Sequence, residues 1–363
     1  MAPRRTPSKL SVHLARRVTR GAGVGTPLWW MRLSDEELLD VRLCDLGLRI
    51  EGTPLKARIA EVTAQLVDRG FRFRPHFWLS STWFTPDGVP GVAIPFYLAH
   101  PRLKRLEESK MREVEGGTKE WCLRLLRHEV GHAIDNAYRL NRRARYRELF
   151  GRASQPYPRH YEPKPYSKRF VLHLDYWYAQ AHPSEDFAET FAVWLTPGRR
   201  WRSQYAGWQA LEKLEYVDEL MREIVRRRPP VRSREAVEPL ASLRMTLREH
   251  YEWKRARHGV GDPDVYDRDL RRLFTETPTR TPPESASKFL RRERASLREK
   301  VADSLGPYPY AVDQVLKEMI IRARELRLYL EKSPHRTMME TAAVLKTQTM
   351  HYLHAGKHRC VVL

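Results

Sequence analysis

An α+β protein is what this sequence predicts, on three observations. The first hundred residues mix one amphipathic helix with short aromatic and β-branched runs. Beyond residue 102 the apolar residues recur mostly at helical spacing. The hydrophobic fraction of 41% gives a chain of 363 residues enough apolar surface for a sizeable core, spread over about two domains at roughly 150 residues each.

The elements follow in order. Residues 1–25 carry Arg4, Arg5, Lys9, Arg16, Arg17 and Arg20, and the first acid is Asp35. No apolar core follows this basic start, so a secretory signal is not expected. The composition fits a mitochondrial transit peptide or a basic flexible arm; the arm is preferred, because nothing else points to an organelle. Gly21, Gly23 and Gly25 mark its joint. Thr53-Pro54, then Ile59, Val62 and Leu66, then Gly70 read as a helix that is capped, started and stopped. Phe71, Phe73, Phe77, Leu79, Trp83 and Phe84 suggest strands, and Pro86-Asp87-Gly88 a turn. Val92 to Leu98 reads as a further strand, edge or bulged, because Pro95 cannot donate to a ladder. Helices are expected over 118–142, 184–195 and 208–227, with Pro229-Pro230 breaking the third. A basic helix is expected near 234–257, and a linker or irregular wrap over 258–288. Val312, Val315, Leu316, Met319, Ile320, Ala323, Leu326 and Leu330 then fall on one helical face.

Composition narrows the partners. Lys plus Arg number 66 against 45 Asp plus Glu, a net charge of +21. Such a charge favours acidic partners but specifies no fold. Three cysteines, Cys44, Cys122 and Cys360, exclude a disulfide scaffold, and no Cys-x-x-Cys pair offers a zinc ribbon. A reducing, cytoplasmic setting is the expectation. No run approaches the ~18 apolar residues that a membrane span needs.

His128-Glu129-Val130-Gly131-His132 carries the chemistry. Two His at i and i+4 project from one face of a helix, so both imidazoles reach one Zn²⁺. Glu129 sits beside the metal, where it can hold a water and take its proton. Leu123, Leu125, Leu126, Val130, Ala133, Ile134 and Ala137 give that helix a wide apolar face. The bland alternative is a His pair on a helix that binds nothing. A catalytic zinc keeps three protein ligands and one open position. The metzincin extension would need Gly and His where Asp135 and Tyr138 stand, so that class is excluded. The other common third ligand is a Glu from a later helix. His182-Pro183-Ser184-Glu185-Asp186-Phe187-Ala188-Glu189 supplies one: Pro183 and Ser184 start a helix, and Glu185 and Glu189 lie one turn apart on it. An ordinary acidic first turn, favoured by the helix dipole, is the competing reading.

The pattern His-Glu-x-x-His, followed some fifty residues on by Glu-x-x-Ala-Glu, resembles the gluzincin metallopeptidases. It is similar still more closely to the bacterial family called putative zinc-binding metallopeptidases. The stretches that carry the likeness are residues 88–101, 115–118, 127–140 and 178–191, and it extends over about residues 40–210. Some relatives begin with a cysteine zinc ribbon, which this chain lacks. The resemblance implies a zincin-like fold: a small mixed or antiparallel sheet, the active-site helix, and a mostly helical C-terminal part. The domain organisation expected is a basic flexible arm over 1–25, a zincin-like metallopeptidase domain over 26–255 and a helical C-terminal region over 256–363. The resemblance also implies one Zn²⁺ per chain held by His128, His132 and Glu185, with Glu129 as general base. Glu189 would accept a hydrogen bond from a ligand imidazole and fix its orientation. Tyr178 lies seven residues before Glu185, where a distant gluzincin, anthrax lethal factor, points a Tyr into its zinc site. By that likeness Tyr178 would donate to the oxyanion or the leaving amine; its alternative is an aromatic core residue. Asp135 reads as solvent-facing rather than as a support for the site, and His182 as a helix-start residue. His76, His100 and His160 have no partner spacing.

The function expected is therefore a zinc-dependent hydrolase of peptide bonds, with a peptide or protein substrate and a metal-activated water. The Val92–Leu98 edge would receive an extended peptide as an added strand. Two other readings compete. One is a basic nucleic-acid-binding protein with a structural or vestigial zinc, favoured by Arg226-Arg227-Arg228, Arg291-Arg292 and the arm. Its aromatics, however, do not interleave with the basics as a stacking platform requires. The other is a pseudo-peptidase, disfavoured because every expected ligand and the base are present.

Overall fold

The computed structural model describes residues 28–354, except 112, 159, 160, 162, 163, 165, 166, 259–262, 279, 280 and 306–308. The N-terminal arm, its glycines, His160 and Cys360 lie outside the described residues. The chain divides into two units: the first holds almost all of it up to Trp253, and the second runs on from Lys254.

In the first unit, helix α1 (Pro54–Asp68) begins where the Thr53 hydroxyl accepts from the Leu55 N–H and Pro54 fills the first turn. It ends before Gly70, whose φ of 86° suits glycine alone. Strands β1 (His76–Ser80) and β2 (Gly91–Pro95) follow, paired from His76 with Gly91 to Ser80 with Pro95. This pair is parallel, which corrects the expected mixed or antiparallel sheet. The Pro86–Gly88 turn does not join a hairpin. Residues 81–90 instead carry the chain back to the start of β1, and Phe84 within them forms an antiparallel bridge with Ala93. Gly91 lets the His76 ring lie against the backbone: a Cβ there would stand 2.3 Å from Cε1, so the ring would have to move.

The expected strand edge at 92–98 is not available. All of β2 is buried, and the Ala93 N–H donates to Phe84 O at 2.9 Å. Residues Phe96–Ala99 form a 3₁₀ turn rather than more strand. An incoming peptide therefore has no free β2 edge to pair with.

Four longer helices build the rest of this unit: α2 (Pro101–Met111), α3 (Lys119–Tyr138), α4 (Pro183–Leu195) and α5 (Ala210–Ile224). Leu126, Val130 and Ile134 of α3 and Phe187 and Phe191 of α4 share one core with Val62, Ile94 and Phe96. The expected helix over 234–257 starts only at Leu247, as α6 (Leu247–His258). Residues before it have another use for their carbonyls. Glu235, Val237 and Glu238 accept from His76 Nε2, Trp78 Nε1 and Ser80 Oγ of β1, at 2.7, 2.9 and 2.7 Å. Glu238 adopts a φ of 46°, and Pro239 has no N–H to continue a helix.

The second unit is helical: α7 (Asp267–Leu273), α8 (Ala286–Arg292), α9 (Arg294–Leu305), α10 (Pro309–Glu325) and α11 (Pro334–His354). The stretch expected to be a linker thus contains α7 and the start of α8. Leu270, Leu273, Phe289 and Leu290 give it a face that the core takes up, together with Val312, Val315, Leu316 and Met319 of α10. Leu326 and Leu330 fall beyond the end of α10, and Leu330 is buried all the same. No described helix is long and apolar enough to cross a membrane.

One buried ion pair ties α4 to α5. Lys213 Nζ lies 2.6 Å from Asp186 Oδ2, donates to Arg169 O at 3.0 Å, and sits 4.4 Å from the centre of the Phe170 ring. Removing one partner leaves a buried charge unpaired. Lys213→Met is expected to cost about 3–5 kcal/mol of stability, read as a lower denaturant midpoint.

Candidate metal centre

Helix α3 starts where the Thr118 hydroxyl accepts from the Trp121 N–H, and Arg139 ends it in the left-handed region. Helix α4 starts at Pro183, and the His182 ring accepts from the Ser184 N–H at 3.2 Å. His182 is thus a cap on α4.

The two helices meet at glycine. A Cβ on Gly131 would stand 3.0 Å from Ala188 Cα and 3.1 Å from Phe191 Cδ1. Gly131 lies between His128 and His132, and Ala188 between Glu185 and Glu189. This close contact therefore falls, in sequence, within both pairs of site residues.

Across that contact, Glu185 Oε2 lies 2.9 Å from His128 Nε2 and 3.1 Å from His132 Nε2. The two Nε2 atoms are 3.1 Å apart. Each residue offers one ligand atom, all within 4.8 Å of one another, and the cluster could hold a metal ion. Behind it, Glu189 Oε1 accepts from His128 Nδ1 at 2.9 Å, and its Oε2 accepts from the Leu174 N–H at 2.8 Å. The bond from Nδ1 fixes the His128 ring so that its Nε2 faces Glu185. Two imidazole nitrogens and a carboxylate oxygen are a donor set that suits zinc. Tetrahedral ligands at zinc distances stand about 3.3 Å apart, close to the spacing found here.

The charges are strongly coupled. Burial disfavours an imidazolium at His128, yet hydrogen bonds with Glu185 and Glu189 outweigh it and hold the pKa well above its usual value. His132 is raised as well: burial works against it, and the Glu185 charge wins. Burial pushes the Glu185 carboxyl up, but His132 and His128 together hold it well below the usual range.

Glu129 adjoins this cluster on α3. Its Oε2 accepts from Thr85 Oγ1 at 2.9 Å. Asn136, further along the same helix, donates to Pro86 O and Val89 O at 2.9 and 3.1 Å, so the 85–89 turn is docked on α3. Tyr178 stands on the 3₁₀ turn Asp175–Gln180, its ring centre 5.4 Å from that of His128. Glu185 Oε1 accepts from the Tyr157 hydroxyl at 2.8 Å.

Asp135 corrects an expectation. It is buried rather than solvent-facing, because it accepts from the Asn141 N–H at 2.9 Å and from the Tyr146 hydroxyl at 3.3 Å. It secures the chain reversal after α3. His76 and His100 lie away from the cluster, stacked on Trp78 and edge-on to Trp30. Thr85 and Tyr157 were not legible in the sequence. No spacing links them to α3 or α4, and only the long-range fold brings them there.

Residues 107–223 match the model of the family described as "Putative zinc-binding metallo-peptidase", which points to membership of that family. The matched span contains α3, α4 and every residue of the cluster. No curated protein and no solved structure matches the chain.

Two outcomes are expected. Gly131→Ala drives a methyl into the Ala188 backbone, and should lower stability by about 1–3 kcal/mol and weaken zinc uptake, measured by denaturant unfolding and metal titration. Because their pKa values are raised in the metal-free protein, His128 and His132 hold protons that a metal must displace. Affinity for a divalent metal at this cluster should therefore rise with pH, by roughly tenfold per unit for each proton displaced, as read by competition with a chelator.

Proposed function

We propose that this protein is a zinc-dependent peptidase whose metal is held by His128, His132 and Glu185. The observation that carries the reading is the convergence of their three ligand atoms, backed by Glu189 and flanked by Glu129. Zinc bound there would polarise a scissile carbonyl and bring the pKa of a water toward neutrality.

The chain's own residues supply the rest. Glu129 is the general base. With Oε2 engaged by Thr85, its carboxylate is held in one orientation, and it takes a proton from the attacking water and gives it to the leaving nitrogen. Glu189 keeps the His128 ring from turning. Tyr178, whose ring neighbours that of His128, is the candidate hydroxyl donor to the oxyanion or the leaving amine. Some of the basic charge in the clusters that suggest a nucleic-acid-binding protein is engaged in pairs within the chain. Arg227 pairs with Glu223, and Arg292 with Glu284 and Glu293.

Glu185→Ala should lose most of the zinc that the wild type binds. Glu129→Gln should keep it while peptide hydrolysis falls by a factor of about 10²–10⁴. Metal content and turnover of a peptide library, measured on the same preparations, check both. Undiminished turnover in Glu129→Gln would sink the general-base role.

A further inference from the structure

Glu185 uses one carboxylate oxygen toward the two imidazoles and the other toward a tyrosine. Its Oε2 faces His128 and His132, and its Oε1 accepts from Tyr157 at 2.8 Å. Tyr157 lies well before α4 in sequence, on the coil that follows residue 150.

That coil is fastened over the start of α4 at several points. Gly151, with a φ of 101°, lets the backbone pass close to Pro183: a Cβ there would stand 3.1 Å from Cγ. His182 Nε2 donates to Gln155 O at 3.0 Å. The Tyr157 and His182 rings stack with their centres 3.9 Å apart and their planes 16° from parallel. Ser184 Oγ lies 2.6 Å from the Tyr157 hydroxyl and 2.6 Å from His182 Nδ1. The residue is 49% exposed overall, yet its hydroxyl is directed inward at the carboxylate.

We propose that Tyr157 is a positioning residue for the metal: it occupies Oε1 of Glu185 and so makes that carboxylate a one-oxygen ligand through Oε2. This rests on the zinc reading above. A carboxylate with both oxygens free can turn and bind a metal through either or both, which raises the coordination number and takes up the position a substrate needs. A donor on the outer oxygen removes that freedom, as Glu189 removes the rotation of His128. A tyrosine hydroxyl carries one O–H, and facing a carboxylate oxygen it is the donor of the pair. The hydroxyl is committed to Glu185 and acts through that ligand.

The test compares full-length wild type with Tyr157→Phe, which keeps the stacked ring and deletes only the hydroxyl, and with Ser184→Ala, which removes a brace. Zinc affinity is measured against a chelator, and the visible absorption of the Co²⁺-substituted protein reports coordination number. Tyr157→Phe should bind zinc about 10–100-fold more weakly, with a Co²⁺ spectrum that loses intensity as a fifth ligand atom joins. Ser184→Ala should shift both in the same direction by less. Unchanged affinity and spectrum in Tyr157→Phe would overturn the proposal. So would weaker binding with an unchanged spectrum, which marks a merely structural hydroxyl. A wild type that takes up no zinc overturns the metal reading beneath it, and this inference with it.

Discussion

The approach of α3 to α4 at Gly131 and Ala188 is the constraint on which the site depends. Imidazole and carboxylate side chains are short, so the two helices must almost touch for Nε2 and Oε2 to converge. Any side chain at Gly131 would meet backbone across the gap, which cannot yield as a flexible side chain could. Phe187 and Phe191 of α4 are buried in the same core as Val130 and Ile134 of α3, so hydrophobic packing holds together the helices that carry the charges. Packing thus supplies the work of bringing two acids and two imidazoles out of water.

Those groups would be costly to bury alone. They are tolerable because each has a partner. His128 lies between two carboxylates, Glu189 is capped by a backbone N–H, and Glu185 has a phenol on its outer oxygen. The same logic appears one residue along, where Asp186 turns away from the cluster and meets Lys213. Successive carboxylates on α4 therefore serve different ends. Glu185 and Glu189 face the α3 histidines, while Asp186 anchors the far side of the helix to α5.

What the sequence makes legible is local. The i, i+4 spacing of His128 and His132, the caps at Thr53, Thr118 and His182, and the starts of α1 and α4 at proline are all set within a few residues. The pairing of α3 with α4 also shows, because His-Glu-x-x-His and Glu-x-x-Ala-Glu each have a face that needs the other. What does not show is decided at a distance. The parallel sense of β1 and β2 depends on the path of residues 81–90. The absence of helix before Leu247 depends on β1 side chains claiming the carbonyls of 235–238. Asp135 looks like a surface acid until Asn141 and Tyr146 fold back over it. Thr85 and Tyr157 reach the site from segments with no periodic signal at all.

Glu189 joins two things that are usually separate. One oxygen orients His128, and the other holds the Leu174 N–H at the entrance to the 3₁₀ turn that bears Tyr178. The neighbouring His173 ring donates to Arg124 O on α3 at 3.0 Å, stapling the same strap a second time. The turn that bears Tyr178 is thereby tied to His128 and to α3 at once. Any motion that turned the His128 ring would therefore be felt in the backbone leading to Tyr178, and any shift of that backbone would be felt at His128.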